Sequence, residues 1–186
     1  RSMDQLLNDL MAIGRVEGGS LKFSPAPLDL EQFCQRLVEE IQFSFGTHQR
    51  LVFHCQGNCE QAYLDQKLLR HTLTNLLSNA IKYSPEGGLV YFDLVCTDEQ
   101  ITMQVRDTGI GIPPETQRHL FEPFHRASNV GKIPGTGLGL TMVKRCVDLQ
   151  GGQITVESEV DVGTTFIIQL PQHQRVAIRQ ERIVSG

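Results

Sequence analysis

His71, Asn75, Asn79 and Lys82 recur at steps of four, four and three, so on a helix they form one stripe. Leu69, Leu73, Leu76, Leu77 and Ala80 form the opposite one. Two amides and a lysine in a row make a polar wall. An asparagine carbonyl oxygen suits a hard cation such as Mg²⁺, and a lysine offers a point charge to phosphate. Taken alone, such a stripe is most often the wet face of a surface helix, so its weight depends on its neighbours.

Asp107 closes a run in which Ile101, Met103 and Val105 share one face, and alternation turns its carboxylate to that apolar side. A carboxylate there needs a partner, and the exocyclic amine of adenine is a fitting donor. Thr108, Gly109, Ile110, Gly111, Ile112 and Pro113 follow, with two glycines past which a flat base can approach the backbone. The Asp-Thr-Gly tripeptide also occurs at aspartic protease centres, but a second carboxylate in a matching setting is missing.

Gly135, Thr136, Gly137, Leu138, Gly139 and Leu140 run directly into a helical pattern, whose first amides can face phosphate. This is not a P-loop, because no Gly-Lys-Ser/Thr follows. It is a poor dinucleotide fingerprint, because no apolar strand immediately precedes it. Between the two glycine motifs lie roughly twenty residues of little regular pattern, the usual mark of a lid or binding loop. They include Phe121, Phe124, Arg126 and Lys132.

These residues need elements to hold them. Leu6, Leu7, Leu10, Met11 and Ile13, stopped by Gly18 and Gly19, predict a short helix over residues 4–16. It has little to bury against itself and reads as the end of a longer helical element. Pro25 and Pro27 predict an extended connection, and Asp29 caps a helix reaching about Phe45. Extended segments are expected at 51–55 and 61–64, helices at 65–81 and 138–149, and hairpins from 91–97 with 101–107 and from 153–158 with 164–170. Locally paired strands interleaved with helices predict an α/β fold, a two-layer sandwich with helices on one face of a mixed, mostly antiparallel sheet.

A length of 186 residues with 40% hydrophobic content fits one globular domain with appendages. A net charge of -4 gives no basic field, so nucleic acid is not expected as a partner. No apolar run reaches the roughly 20 residues of a membrane span, so the chain is expected to be soluble and cytoplasmic, with a membrane anchor elsewhere left open. Cys34, Cys55, Cys59, Cys96 and Cys146 are odd in number, scattered and without a C-x-x-C pair. They are expected to be reduced and to pack as small hydrophobes, not to form a disulfide framework.

Residues 75–85 (NLLSNAIKYSP), 107–113 (DTGIGIP), 121–124 (FEPF) and 135–140 (GTGLGL) resemble, in order and spacing, the N, G1, F and G2 boxes of sensor histidine kinases. The resemblance covers roughly residues 24–171, including GTTF at 163–166. It implies the Bergerat ATP-binding fold shared with gyrase, Hsp90 and MutL ATPases, with ATP and Mg²⁺ as cofactors. Asn79 would be the Mg²⁺ ligand, Asn75 a polar group near the phosphates and Lys82 a phosphate contact, the three forming the catalytic set. Tyr83 would lie beside the nucleotide, and Asp107 would hold adenine in a slot lined by Gly109, Gly111 and Ile112. Gly135, Thr136, Gly137, Leu138, Gly139 and Leu140 would wrap the phosphates, with Arg126 reaching the γ-phosphate and Thr164 at the base.

The hydrolytic relatives place a glutamate where Asn75 stands here. The resemblance therefore implies ATP held without efficient hydrolysis, for transfer to a histidine and relay to a response-regulator aspartate. That acceptor histidine is followed by an acidic residue, whereas His48, His54, His71, His119, His125 and His173 are followed by Gln, Cys, Thr, Leu, Arg and Gln. The implied partners are the dimerisation and histidine-phosphotransfer domain of the same kinase and a response-regulator receiver domain. The fragment is expected to be monomeric and the full-length kinase a homodimer. Residues 1–20 would end the dimerisation helix, 24–171 form the catalytic domain and 172–186 a flexible tail. The rival reading is a degenerate ATP-binding interaction module without transfer activity.

Overall fold

The computed structural model describes residues 22–45, 49–131, 133 and 135–172. The helix expected at 4–16, Lys132 and the tail from residue 173 onward lie outside the described residues.

The chain enters along β1 (Ala26–Leu28), which pairs antiparallel with β3 (Ala62–Leu64) in a small two-stranded sheet. The extended connection expected around Pro25 and Pro27 is thus a strand at a sheet edge, where a missing amide is tolerated. Helix α1 (Leu30–Phe45) starts where the Asp29 carboxylate takes the Gln32 amide at 2.9 Å, and it buries Leu30, Phe33, Cys34, Leu37, Val38 and Ile41. Helix α2 (Gln66–Tyr83) is capped by Asp65, which accepts from the amides of Lys67 and Leu68. The second Asp65 oxygen takes the Ser24 amide at 2.8 Å, which ties the incoming segment to the same cap. Pro85 follows the C-cap Ser84 and stops the helix.

The main sheet runs β2 (Arg50–Gly57), β4 (Leu89–Cys96), β5 (Gln100–Asp107), β7 (Gly163–Pro171), β6 (Gln153–Glu159). β2 and β4 are parallel, and the other neighbours are antiparallel. Along β4 every second residue is buried, namely Val90, Phe92, Leu94 and Cys96, as the pleat requires of a sheet covered on one face. Helices α1, α2 and α4 (Gly139–Leu149) cover that face. On the other face the Arg106 guanidinium stacks over the Tyr91 ring, and His54 meets Asp93 at 3.1 Å, partners suited to a solvated surface. The architecture is the expected two-layer α/β sandwich, with strand ends shifted by one or two residues from the sequence pattern.

The cysteines depart from expectation. Cys59 and Cys96 form a disulfide, while Cys34, Cys55 and Cys146 are free. The two lie 37 residues apart in sequence, which hides their proximity. The parallel register sets Gly57 opposite Cys96, so Cys59, two residues further on, reaches across with its Cα 5.5 Å from that of Cys96. A link between parallel neighbours cannot be read from spacing alone.

Candidate functional site

One cavity of about 600 Å³ opens between α2, the end of β5 and the loops on either side of α3 (Pro114–Gln117) and α4. That volume lies within the usual range for a small-molecule site. The α2 stripe supplies Asn75, Asn79 and Lys82 to its wall, and Tyr83 completes that side. His71, on the same stripe, does not line it; its carbonyl accepts the Asn75 side-chain amide at 3.0 Å and so sets that residue's rotamer.

Asp107 closes β5 with its carboxyl facing the cavity and only 7% of its surface exposed. Its Oδ1 accepts the Gly109 amide at 2.8 Å. Gly111, Ile112 and Thr164 line the cavity beside it. Gly111 sits at φ +65°, and a Cβ there would lie 2.0 Å from the Glu159 carbonyl oxygen, so the loop can pass the β6–β7 turn only with glycine at this point. Three side chains outside the glycine motif support this loop. Gln117 Nε2 donates to the Ile112 carbonyl at 2.7 Å, Asn129 Nδ2 to the Gly111 carbonyl at 2.9 Å, and Ser158 Oγ accepts the Ile112 amide at 2.8 Å.

Gly135, Thr136, Gly137, Gly139 and Leu140 line the third side, with Arg126. A Cβ on Gly135 would lie 3.3 Å from Lys82 Nζ and 3.8 Å from Arg126 Nε, so the loop here comes close to two cations. Arg126 donates to the Ile133 carbonyl, which holds its guanidinium within the loop. The N-cap of α4, Leu138, offers no capping side chain, which leaves the first amides of that helix to a ligand. A Cβ on Gly139 would come within 2.6 Å of Asn75 Oδ1, so glycine is what lets this helix start abut the α2 wall.

Of the residues expected at the site, Gly109 and Leu138 alone do not line the cavity. Gly109 is spent on its hydrogen bond to Asp107, and Leu138 is fully buried beneath the loop. Conversely, Ile110, Leu120, His125, Ala127, Val130 and Phe166 line it without having been expected there, and Ala80, assigned to the opposite apolar stripe of α2, reaches it at the edge of that stripe. Phe166 was legible as the inward partner of Thr164 two residues along β7. The lid residues gave no periodic signal. Phe121 packs against the core, whereas Phe124 is 67% exposed in a left-handed conformation at φ 61°, its amide bound to the Gly137 carbonyl.

Burial raises the Asp107 carboxyl above its ordinary value of 3.8, against the smaller opposing pull of the Gly109 and Thr164 amides. The folded state therefore holds this proton more tightly than the unfolded chain. The stability it contributes is full below pH 3.8 and is lost as the pH rises through the folded value. Urea melts at a series of pH values should show Asp107→Asn gaining stability relative to the wild type over that rise, then levelling off. A difference that does not vary with pH would mean an unperturbed carboxyl.

Residues 64–174 match the family model described as histidine kinase-, DNA gyrase B-, and HSP90-like ATPase. Among curated relatives, the circadian input-output histidine kinase CikA of Synechococcus elongatus is 33% identical over 90% of this chain, and the sensor histidine kinase WalK of Bacillus subtilis 31% over 91%. The chain spans 23% and 28% of their respective lengths. Among solved structures, full-length ShkA in complex with AMPPNP superposes with a TM-score of 0.78 at 26% identity, covering 92% of this chain and 36% of that one. The mycobacterial sensor histidine kinase MprB gives 0.69 at 28% identity, covering 81% of this chain and all of that one. No described helix is long and apolar enough to cross a membrane. With residues of its N, G1 and G2 boxes gathered on one cavity of this sandwich, the chain belongs to the histidine kinase-, gyrase B- and HSP90-like ATPases, as an ATP-binding domain of the sensor histidine kinase type.

Proposed function

We propose that this chain binds Mg²⁺-ATP in the cavity and presents the γ-phosphoryl group to a histidine on the dimerisation domain of the same kinase, for relay to a response-regulator aspartate. The observation that carries this reading is that one cavity is lined by Asn75, Asn79 and Lys82 on one side and by Asp107 and Thr164 on another. An acidic acceptor for an amino group and a polar, cationic wall for phosphates are what a nucleoside triphosphate requires. Work on a receiver domain would place the domain in the cytoplasm.

The donor set fits a metal bound through its nucleotide. No cluster of three or more His, Cys, Asp or Glu that could hold a metal exists among the described residues, so Asn79 would supply the protein oxygen and the phosphates and water the rest. Mg²⁺, when bound, neutralises charge on the phosphates. Lys82 and Arg126 would add cationic contacts beside Gly135. Asn75 has no basic lone pair at neutral pH, so it cannot take a proton from water, and the bound triphosphate survives until a histidine arrives.

With γ-labelled ATP and Mg²⁺ this chain alone should stay unlabelled. Adding the matching dimerisation domain should give an acid-labile, base-stable phosphohistidine on that partner. Label on His71, or on His125 inside the cavity, would overturn the assignment of the acceptor. ATP binding with no transfer to any matched partner would favour the interaction module.

A further inference from the structure

Ser158 lies on β6 opposite Thr164 on β7, outside the cavity lining and outside every motif discussed above. Its hydroxyl has three partners. The Ile112 amide lies at 2.8 Å, the Gly163 carbonyl oxygen at 2.9 Å and the Thr164 hydroxyl at 2.8 Å. A hydroxyl has one proton and two lone pairs. The Gly163 carbonyl can only accept, so it takes the Ser158 proton. The Ile112 amide can only donate, so it fills one lone pair. The second lone pair is left for Thr164, which must therefore be the donor in that contact. Its only proton points away from the cavity, and toward the cavity it can only accept.

We infer that Ser158 is a positioning residue for base selection, acting through Thr164. It holds the Thr164 hydroxyl as an acceptor beside Asp107 and, through the Ile112 amide, keeps the slot loop in register with it. This rests on the nucleotide reading above. Asp107 and Thr164 are paired residues of adjacent strands, so two acceptors stand side by side at the base-recognising part of the cavity. An exocyclic amino group, with two hydrogens, satisfies both. A carbonyl at the same ring position, as in hypoxanthine, places an acceptor against acceptors. Gln117 Nε2 reinforces the arrangement by donating to the carbonyls of both Ile112 and Ser158, at 2.7 and 2.9 Å. Without the serine hydroxyl, the Thr164 proton would lose its acceptor and could turn into the cavity, where it would serve a carbonyl.

The test is calorimetric titration of wild type and variants with ATP and with inosine triphosphate. Ser158→Ala should lower the preference for ATP by about tenfold, the size of one exchanged buried hydrogen bond, while Ser158→Thr, which keeps the hydroxyl, should restore it. In a Thr164→Val background, adding Ser158→Ala should leave the preference where Thr164→Val put it. Thr164→Val alone should also lower the preference, which keeps the idea testable if Ser158→Ala does not fold. Equal weakening of both nucleotides by Ser158→Ala would reduce Ser158 to a loop support and overturn the inference, as would an unchanged preference in Thr164→Val. If wild type bound neither triphosphate, the nucleotide reading itself would fall.

Discussion

Asn79→Ala is expected to weaken Mg²⁺-dependent ATP binding roughly 100-fold, or about 2.8 kcal/mol, and to abolish transfer to a partner histidine. The size follows from how few protein ligands the site can offer. Mg²⁺ commonly keeps several waters and takes one or two protein oxygens besides the phosphates. Among the described residues no His, Cys, Asp or Glu cluster stands by as a substitute. Asn79 sits between Asn75, one turn before it, and Lys82, nearly one turn after, all lining the cavity from a helix whose opposite face is buried in the core. That helix is pinned at its start by Asp65 and cannot rotate another oxygen into place. Titration with a non-hydrolysable ATP analogue, with Mg²⁺ and then with a chelator, separates the contributions. Loss confined to the Mg²⁺ titration is the expected result. Equal loss in chelator would mean that Asn79 touches the nucleotide directly, and no loss in either would move the metal elsewhere.

The parts of this site that lie within one element were legible from spacing. The α2 stripe needed only a helical period, and the Asp107 orientation only a strand period, because each is fixed by local backbone geometry. The glycine motifs announced close approaches, yet their sequence did not say what approaches them. Gly111 faces the turn after β6, and Gly139 faces Asn75. Those contacts depend on register between distant strands and helices. For the same reason Ser158 and Asn129, which hold the slot loop from 18 to 46 residues away, carried no signal in the sequence, and Gln117, only 5 residues from Ile112, carried none because its second partner is the Ser158 carbonyl. Ser and Gln at a strand end and in a one-turn helix look like ordinary surface polar residues until the fold brings them behind residues 110–112. The lining of Leu120 and Val130 was hidden in another way, since an apolar residue that walls a cavity has the same pattern as one that fills a core.

Removing the Cys59–Cys96 bridge should lower the thermal midpoint far more than it changes the nucleotide site. The bridge joins residues 37 apart in sequence, and closing a loop of that length restricts the unfolded chain by about 4 kcal/mol in the chain-entropy account. For a domain of this size that corresponds to a fall of roughly 8–16 °C. The folded state adds a local term, because the Cys59 carbonyl accepts the Leu30 amide at 2.9 Å and so helps hold the start of α1 against the sheet. Both sulfurs are deeply buried, at 1% and 6% residue exposure, so a thiol reductant will reach them slowly in the native protein. Wild type reduced in denaturant and refolded with dithiothreitol should therefore be compared with Cys59→Ala/Cys96→Ala. The bridge lies at the end of the sheet where Cys96 pairs with Ile101, and Asp107 closes the other end of β5, roughly 20 Å away along the strand. ATP affinity below the melting range should therefore be the same with and without the bridge. An unchanged midpoint in both reduced and alanine forms would show that the bridge does not constrain the chain, and a parallel loss of ATP affinity would show that this pole of the sheet reaches the cavity after all.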